Sequence, residues 1–194
     1  VPRSALTRDA VVDAAIALVD DAGLEALTLA ATAARVGVRL PSLYNHVAGV
    51  DDLRGAVAAR ATGLLAARIR DAAIGRAHSD ALVAIADAYR DFARDHPGLY
   101  AATVRAPDVA NLEHARAADD LMVVVNAVLA GYGLRGDDAL DAARALRAML
   151  HGWADLERSN AFGSDRPPAA TYQRIISEFD RVLRAAVAGE RKTL

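Results

Sequence analysis

Residues 37–47 read GVRLPSLYNHV. A glycine interrupts the apolar run LAATAARV (29–36), and a proline stands four positions after it. Thr28 before that run is a natural helix N-cap, and Gly37 after it a natural stop. Pro41 belongs in the first turn of a new helix, where its missing N–H costs nothing and its fixed φ is already helical. The stretch therefore predicts two short helices joined by a tight glycine turn, with the second spanning about 40–47. That is the outline of a helix-turn-helix. Ala33, four residues before the turn, is small enough to let the two helices approach, Leu43 falls on the inward side, and Val36 and Val38 flank the turn.

Working outward, nearly every segment has helical periodicity and none alternates as a half-buried strand does. A first helix is predicted after the cap Thr7, with Val12, Ala15, Ile16 and Val19 inward and Gly23 as its stop. Asp51 is expected to cap a fourth helix reaching about Ala73, and GRAHS (75–79) reads as a hinge. Ser79 opens a fifth, carrying Ala88, Tyr89, Phe92 and Ala93, which ends before Pro97; a short one follows. The seventh runs from Asn111 to about Gly131, and its LMVVVNAVL is apolar all round, which places it centrally. Two more cover Asp137–Ala161 and Ala169–Ala188. In the last, Tyr172, Ile175, Ile176, Phe179, Val182, Leu183 and Ala186 form one stripe. The expectation is an all-α chain of about nine helices in two parts.

Composition narrows the function. The chain has 194 residues, 54% hydrophobic and 25% charged, enough to bury a core. It has no cysteine, which removes disulfides, thiolate metal sites and thiol nucleophiles. The five histidines are too scattered to suggest a metal pair, and no phosphate loop or nucleophile motif is present. No enzyme, cofactor or metal site is expected. No apolar run approaches the ~18 residues of a membrane span, and the first residues lack a signal region, so a soluble cytoplasmic protein is expected. Net charge is −2, yet no acid occurs between Glu25 and Asp51, where Arg35 and Arg39 stand. The outward face of the third helix is polar and free of negative charge, as a helix entering the major groove requires.

LTLAATAARVGVRLPSLYNHVAGVDDLRGAV (27–57) resembles the DNA-binding domain of the tetracycline-repressor (TetR) family of transcriptional regulators. Gly37, Val38, Leu43, Tyr44, His46, Val47, Asp51 and Leu53 match the family pattern in order, and the match spans about 45 residues from Thr7. LRAMLHGWADLERSNAFG (146–163) resembles a helix of one group of these regulators.

The resemblance implies a helix-turn-helix domain over 1–53. It also implies an effector-binding and dimerisation domain over 54–194, the two joined by the fourth helix (about 51–73). Thr28, Tyr44 and His46 would hold phosphates, while Arg39, Leu40, Ser42 and Asn45 would face base edges. Arg39 would pair with guanine, Asn45 with adenine or a phosphate, and Leu40 or Pro41 would pack on a thymine methyl. Many members carry a lysine where this chain has Val50, and Arg39 replaces the serine or threonine usual at the cap of the third helix.

For the second part the resemblance implies a small-molecule effector, with Tyr89, Phe92, Tyr100, Met122, Asn126, Met149 and Trp153 as candidate pocket residues. Each serves equally well as core. Asn126, a polar group in the most apolar helix, needs a partner from the protein or from a ligand, and His151 and Glu157 could supply others. The helices at about 137–161 and 169–188 would form the interface of a homodimer. DAYRDFARD (87–95) reads as a solvated face with i,i+3 ion pairs. The function implied is a ligand-responsive regulator, a repressor released from a palindromic operator. The alternative is a helical small-molecule or protein-binding module that no longer binds DNA.

Overall fold

The computed structural model describes residues 6–104, 111–163 and 165–190, the last four as backbone only. Residues 1–5, on which the signal-region reading falls, lie outside them, as does Ser164 of the last loop. Among the described residues there are nine α-helices and no strand: α1 (Arg8–Ala22), α2 (Leu29–Val36), α3 (Leu40–Leu43), α4 (Val50–Ala73), α5 (His78–Asp95), α6 (Pro97–Thr103), α7 (Leu112–Gly131), α8 (Gly136–Arg158) and α9 (Ala169–Glu190). No single helix among them is long and apolar enough to cross a membrane.

The short-range chemistry behaves as the residue types require. The Thr7 hydroxyl accepts the Ala10 N–H at 3.2 Å and the Thr28 hydroxyl accepts the Ala31 N–H at 3.1 Å, so each satisfies an orphan donor of its helix. At the end of α2, Gly37 has φ +73°. Its N–H reaches the Ala34 carbonyl at 3.2 Å, and the Val38 N–H reaches the Ala33 carbonyl at 3.0 Å. This paired closure needs a left-handed residue, which is why a glycine stands there.

Packing gathers the described residues into two units. One takes residues up to Leu64 together with Asp95–Asp119; the other takes Leu65–Arg94 and everything from Asp120. This grouping coincides neither with a boundary at 53 nor with the 75–79 turn.

In the first unit α1 buries Val11, Val12, Ala15 and Val19, and Val11 takes the inward place expected of Ile16, which is half-buried. Helix α6 lies against α1. A side chain on Gly98 would begin 1.9 Å from the Val19 carbonyl oxygen, so only glycine permits this approach. Beside it, His96 Nδ1 meets the Asp20 carboxylate at 2.8 and 3.1 Å. Where α7 begins, the Asn111 side chain accepts the His114 N–H at 2.9 Å and sits over Gly55 of α4.

His114 and Thr62 are both buried, and His114 Nε2 meets the Thr62 hydroxyl at 3.3 Å. Burial pushes the His114 pKa below the ordinary histidine value of 6.5. The folded protein therefore keeps this ring neutral, while the unfolded chain takes up a proton as pH falls below about 6.5. Stability should be level above that value and fall as pH drops below it, because only the unfolded chain then gains the proton. His114→Gln should flatten this limb in urea titrations run at several pH values; an unchanged limb would mean that His114 is not its source.

In the second unit Asp180 of α9 gathers three donors. The Ser79 hydroxyl donates at 2.8 Å, Arg184 Nε donates at 2.9 Å, and the Tyr132 hydroxyl donates as well. Helix α7 is less central than its composition predicts. Val128 and Leu129 are buried, but Val123 is 67% exposed, and Asn126 and Ala127 are also on the surface. Asn126 thus needs no buried partner. The α9 stripe divides likewise: Tyr172, Ile176 and Leu183 are buried, whereas Val182 is 61% exposed and Ala186 is exposed. The 87–95 face is only partly solvated. Arg94 and Asp91 form the i,i+3 pair at 2.8 Å, but Arg90 turns to Glu157 of α8, with Nε donating at 2.7 Å. Asp87 accepts the Gln173 amide of α9 at 3.4 Å.

Candidate nucleic-acid interface

Helix α3 keeps α-geometry for a single turn, shorter than the expected 40–47. Its chain then continues as a tight turn in which the N–H groups of His46 and Val47 both reach the Leu43 carbonyl, at 2.9 and 3.1 Å. Pro41 lies in the first turn, and Arg39 occupies the cap position without a side-chain capping bond. Leu43 and Val47 are buried, which fixes which side of this segment looks outward.

The outward side carries Arg39, Leu40, Pro41, Ser42, Tyr44 and Asn45, all exposed, Tyr44 by 56%. His46 is half-buried. Thr28 is exposed, but its hydroxyl is already engaged as the α2 cap. Arg35 is tied to Asp21 at 2.6 Å, while Arg39 forms no ion pair among the described residues. The surface formed is a polar ridge with an exposed phenol and a guanidinium and without a carboxylate. A phosphate-lined groove would accept it.

Two residues behind this ridge carry more than the sequence indicated. Arg8, in the first turn of α1, donates both guanidinium nitrogens to Asp52 at 2.8 and 2.7 Å, and one of them also to the His46 carbonyl at 3.0 Å. Asp52 in turn accepts the Ala48 N–H at 2.8 Å. Asp51, expected as the cap, instead lies inside the first turn of α4, which begins at Val50, and its side chain is 93% exposed. The hydrogen bonds from Arg8 and Ala48 hold the Asp52 carboxyl below the usual range. The one local signal for Arg8 is a cation in the first turn of a helix, where the dipole disfavours it. Val50 is the first residue of α4 and brings no charge.

The expected effector residues do not all converge. Tyr89, Phe92 and Trp153 are buried in the second unit, Met122 and Met149 are half-buried there, and Asn126 is exposed; buried Tyr100 belongs to the first unit. An open depression lined by Ala77, His78, Ser79, Asp80 and Arg184 contains none of them. Around Trp153 the second unit is aromatic, with Phe162 at 4.6 Å and Tyr172 at 5.3 Å between ring centroids, and the Arg90 guanidinium 4.7 Å above the Tyr172 ring. Two donors here, Trp153 Nε1 and the Tyr172 hydroxyl, are buried without an acceptor at hydrogen-bonding geometry among the described residues. The Glu157 carboxylate feels the indole N–H, but its hydrogen bonds go to Arg90.

An unpaired buried donor destabilises, so deleting it without changing shape should be neutral or favourable. Tyr172→Phe should leave the stability of the ligand-free protein unchanged or raise it by up to about 1 kcal/mol, read by thermal unfolding. A comparable loss would show that the hydroxyl has an acceptor.

The family model described as tetracyclin repressor-like, C-terminal domain, matches residues 82–179. An uncharacterised HTH-type transcriptional regulator of Mycobacterium tuberculosis, Rv0681, is 36% identical over 189 residues, covering 97% of this chain and 84% of the relative. The chain belongs to the TetR family of transcriptional regulators. A second such relative, YobS of Bacillus subtilis, is 34% identical over 162 residues, covering 83% of this chain and 84% of its own. Among solved structures, a protein of unknown function from Rhodococcus sp. RHA1 shares the fold at a TM-score of 0.78. It is 22% identical, and the match covers 94% of this chain and 98% of that one. As a TetR regulator the chain is a transcription factor rather than an enzyme, and its helix-turn-helix is the DNA-binding element.

Proposed function

We propose that this TetR protein is a homodimeric repressor that leaves a palindromic operator when a small molecule binds its second unit. The observation that carries the DNA half is the acid-free ridge of Arg39, Ser42, Tyr44 and Asn45, raised on a turn whose inward residues Leu43 and Val47 are buried. In this reading residues 1–53 act as the DNA-binding domain and 54–194 as the regulatory one. Tyr44, His46 and Thr28 position the protein on phosphates, Arg39 and Asn45 read base edges, and Leu40 or Pro41 meets a thymine methyl.

A single-turn helix offers few base contacts, so pairing two copies on half-sites about 34–36 Å apart, or a multiple of that, is needed for specificity. Exposed Leu140 and Leu156 on α8 and Val182 on α9 support those helices as the pairing surface. Trp153 Nε1 and the Tyr172 hydroxyl, buried donors without an acceptor at hydrogen-bonding geometry among the described residues, support an effector in the aromatic region of the second unit. The effector acts by its differential affinity for the DNA-competent and incompetent states, and coupling of about 1–3 kcal/mol changes operator affinity some 5- to 150-fold.

The test compares Tyr44→Ala and Arg39→Ala on a selected duplex and on duplexes altered one base pair at a time. Tyr44→Ala should weaken every duplex alike, and Arg39→Ala should lose discrimination at one position of each half-site. If both bind as wild type does, the ridge is not the DNA-contacting surface.

A further inference from the structure

We infer that Arg8 and Asp52 clamp the recognition turn in its DNA-competent shape, so that operator affinity depends on both although neither belongs to the outward ridge. This rests on the DNA-binding reading above.

The recognition segment is poorly able to hold its own geometry. Its α-helical part is four residues long and has no side-chain cap. Fixing so few residues by hydrogen bonds of their own is unfavourable. The stretch that follows, carrying Tyr44, Asn45 and His46, is secured at its far end from outside. The His46 carbonyl accepts from Arg8 at 3.0 Å, and the Ala48 N–H donates to Asp52 at 2.8 Å. These two backbone groups bracket Val47, whose side chain is buried. The two side chains are in turn locked by a two-pronged bond at 2.7 and 2.8 Å. The start of α1, the end of the recognition turn and the start of α4 are thereby one hydrogen-bonded body.

Charge placement supports this role. A guanidinium in the first turn of α1 is unfavourable for that helix, so its position is explained by the bond it makes rather than by α1. An aspartate beside a DNA-facing turn would repel phosphates unless neutralised, and Arg8 neutralises it. The fork matters: a lysine could meet the aspartate as a point charge but could not reproduce the paired geometry.

Rival accounts predict different signs. If Arg8 simply touched a phosphate, Arg8→Lys would largely restore binding, and Asp52→Asn, by removing a negative charge, would strengthen it. If the pair were only a stability element, binding would change only where the protein unfolds.

The experiment measures operator affinity and its salt slope for Arg8→Lys, Asp52→Asn and the double variant. The probe is the duplex that wild type selects from a random pool, at a temperature where melting curves show every variant folded. Amide exchange at residues 44–48 is read on the same samples. The clamp predicts a loss of about ten-fold for each single variant, a double variant no worse than either, and an unchanged salt slope. It also predicts faster exchange at Val47 and Ala48 with α1 and α2 still protected. Tighter binding by Asp52→Asn, recovery by Arg8→Lys, or unaltered exchange at Val47 and Ala48 would each overturn it. Failure of wild type to select any duplex would instead refute the DNA reading, and with it the clamp's dependence on operator affinity.

Discussion

Gly98→Ala is expected to lower the melting temperature by roughly 6–12 °C. The new methyl would begin 1.9 Å from the Val19 carbonyl oxygen and 2.8 Å from its carbon. Both are backbone atoms of α1 and cannot swing aside as a side-chain end could, so α6 must lift from α1. Overpacking of this kind costs about 3 kcal/mol, and each kcal/mol is worth about 2–4 °C in a chain of this size. Lifting α6 would also stretch the His96–Asp20 contact at 2.8 Å. Gly63→Ala is the control, because a side chain there meets nothing within 4 Å and the position lies inside α4. It should stabilise by about 0.5–1 kcal/mol. Calorimetry on the two variants tests the point: similar melting temperatures would show that α6 is not seated on the α1 backbone.

The second large effect separates two neighbours. Leu43 is fully buried and fastens the recognition turn to the first unit, so Leu43→Ala should cost about 2–5 kcal/mol. Tyr44, one position on, is mostly exposed, and Tyr44→Ala should leave stability within about 0.5 kcal/mol of wild type. Its expected loss is in DNA affinity, about ten-fold or more, through contacts made only in the complex. Urea unfolding and duplex titration of the two proteins would show this split. Equal destabilisation by both would mean that Tyr44 packs inward in solution, against the ridge described above.

Much of the fold was legible because its decisive chemistry is local. Gly37 had to adopt positive φ, Pro41 could sit only in a first turn, and Thr7 and Thr28 each met the N–H three residues on; such facts follow from short stretches of chain. Less legible were pairings between distant helices. Nothing in the periodicity joins Arg8 to Asp52 or Arg90 to Glu157, since each depends on how helices cross, and two consecutive aspartates gave no means of choosing Asp52 over Asp51. The seventh helix shows a different limit. Its apolar character was plain, but composition does not say which side the chain itself covers, and Val123 and Asn126 lie on the side left open. For an effector site the sequence offers only one criterion, large or polarizable side chains on core helices. That criterion passed over Tyr172, a residue assigned to a stripe, and included Asn126, which lies on the surface.

The most direct test of the central claim is selection of duplexes from a random DNA pool by the wild-type protein, with affinity for the winning duplex followed as salt is raised. The account predicts a two-fold symmetric site whose half-sites lie about one helical turn, or a multiple of it, apart. It also predicts affinity that falls steeply with salt as phosphate counterions are released. A folded, dimeric protein that enriches no duplex, or whose binding is indifferent to salt, would contradict it.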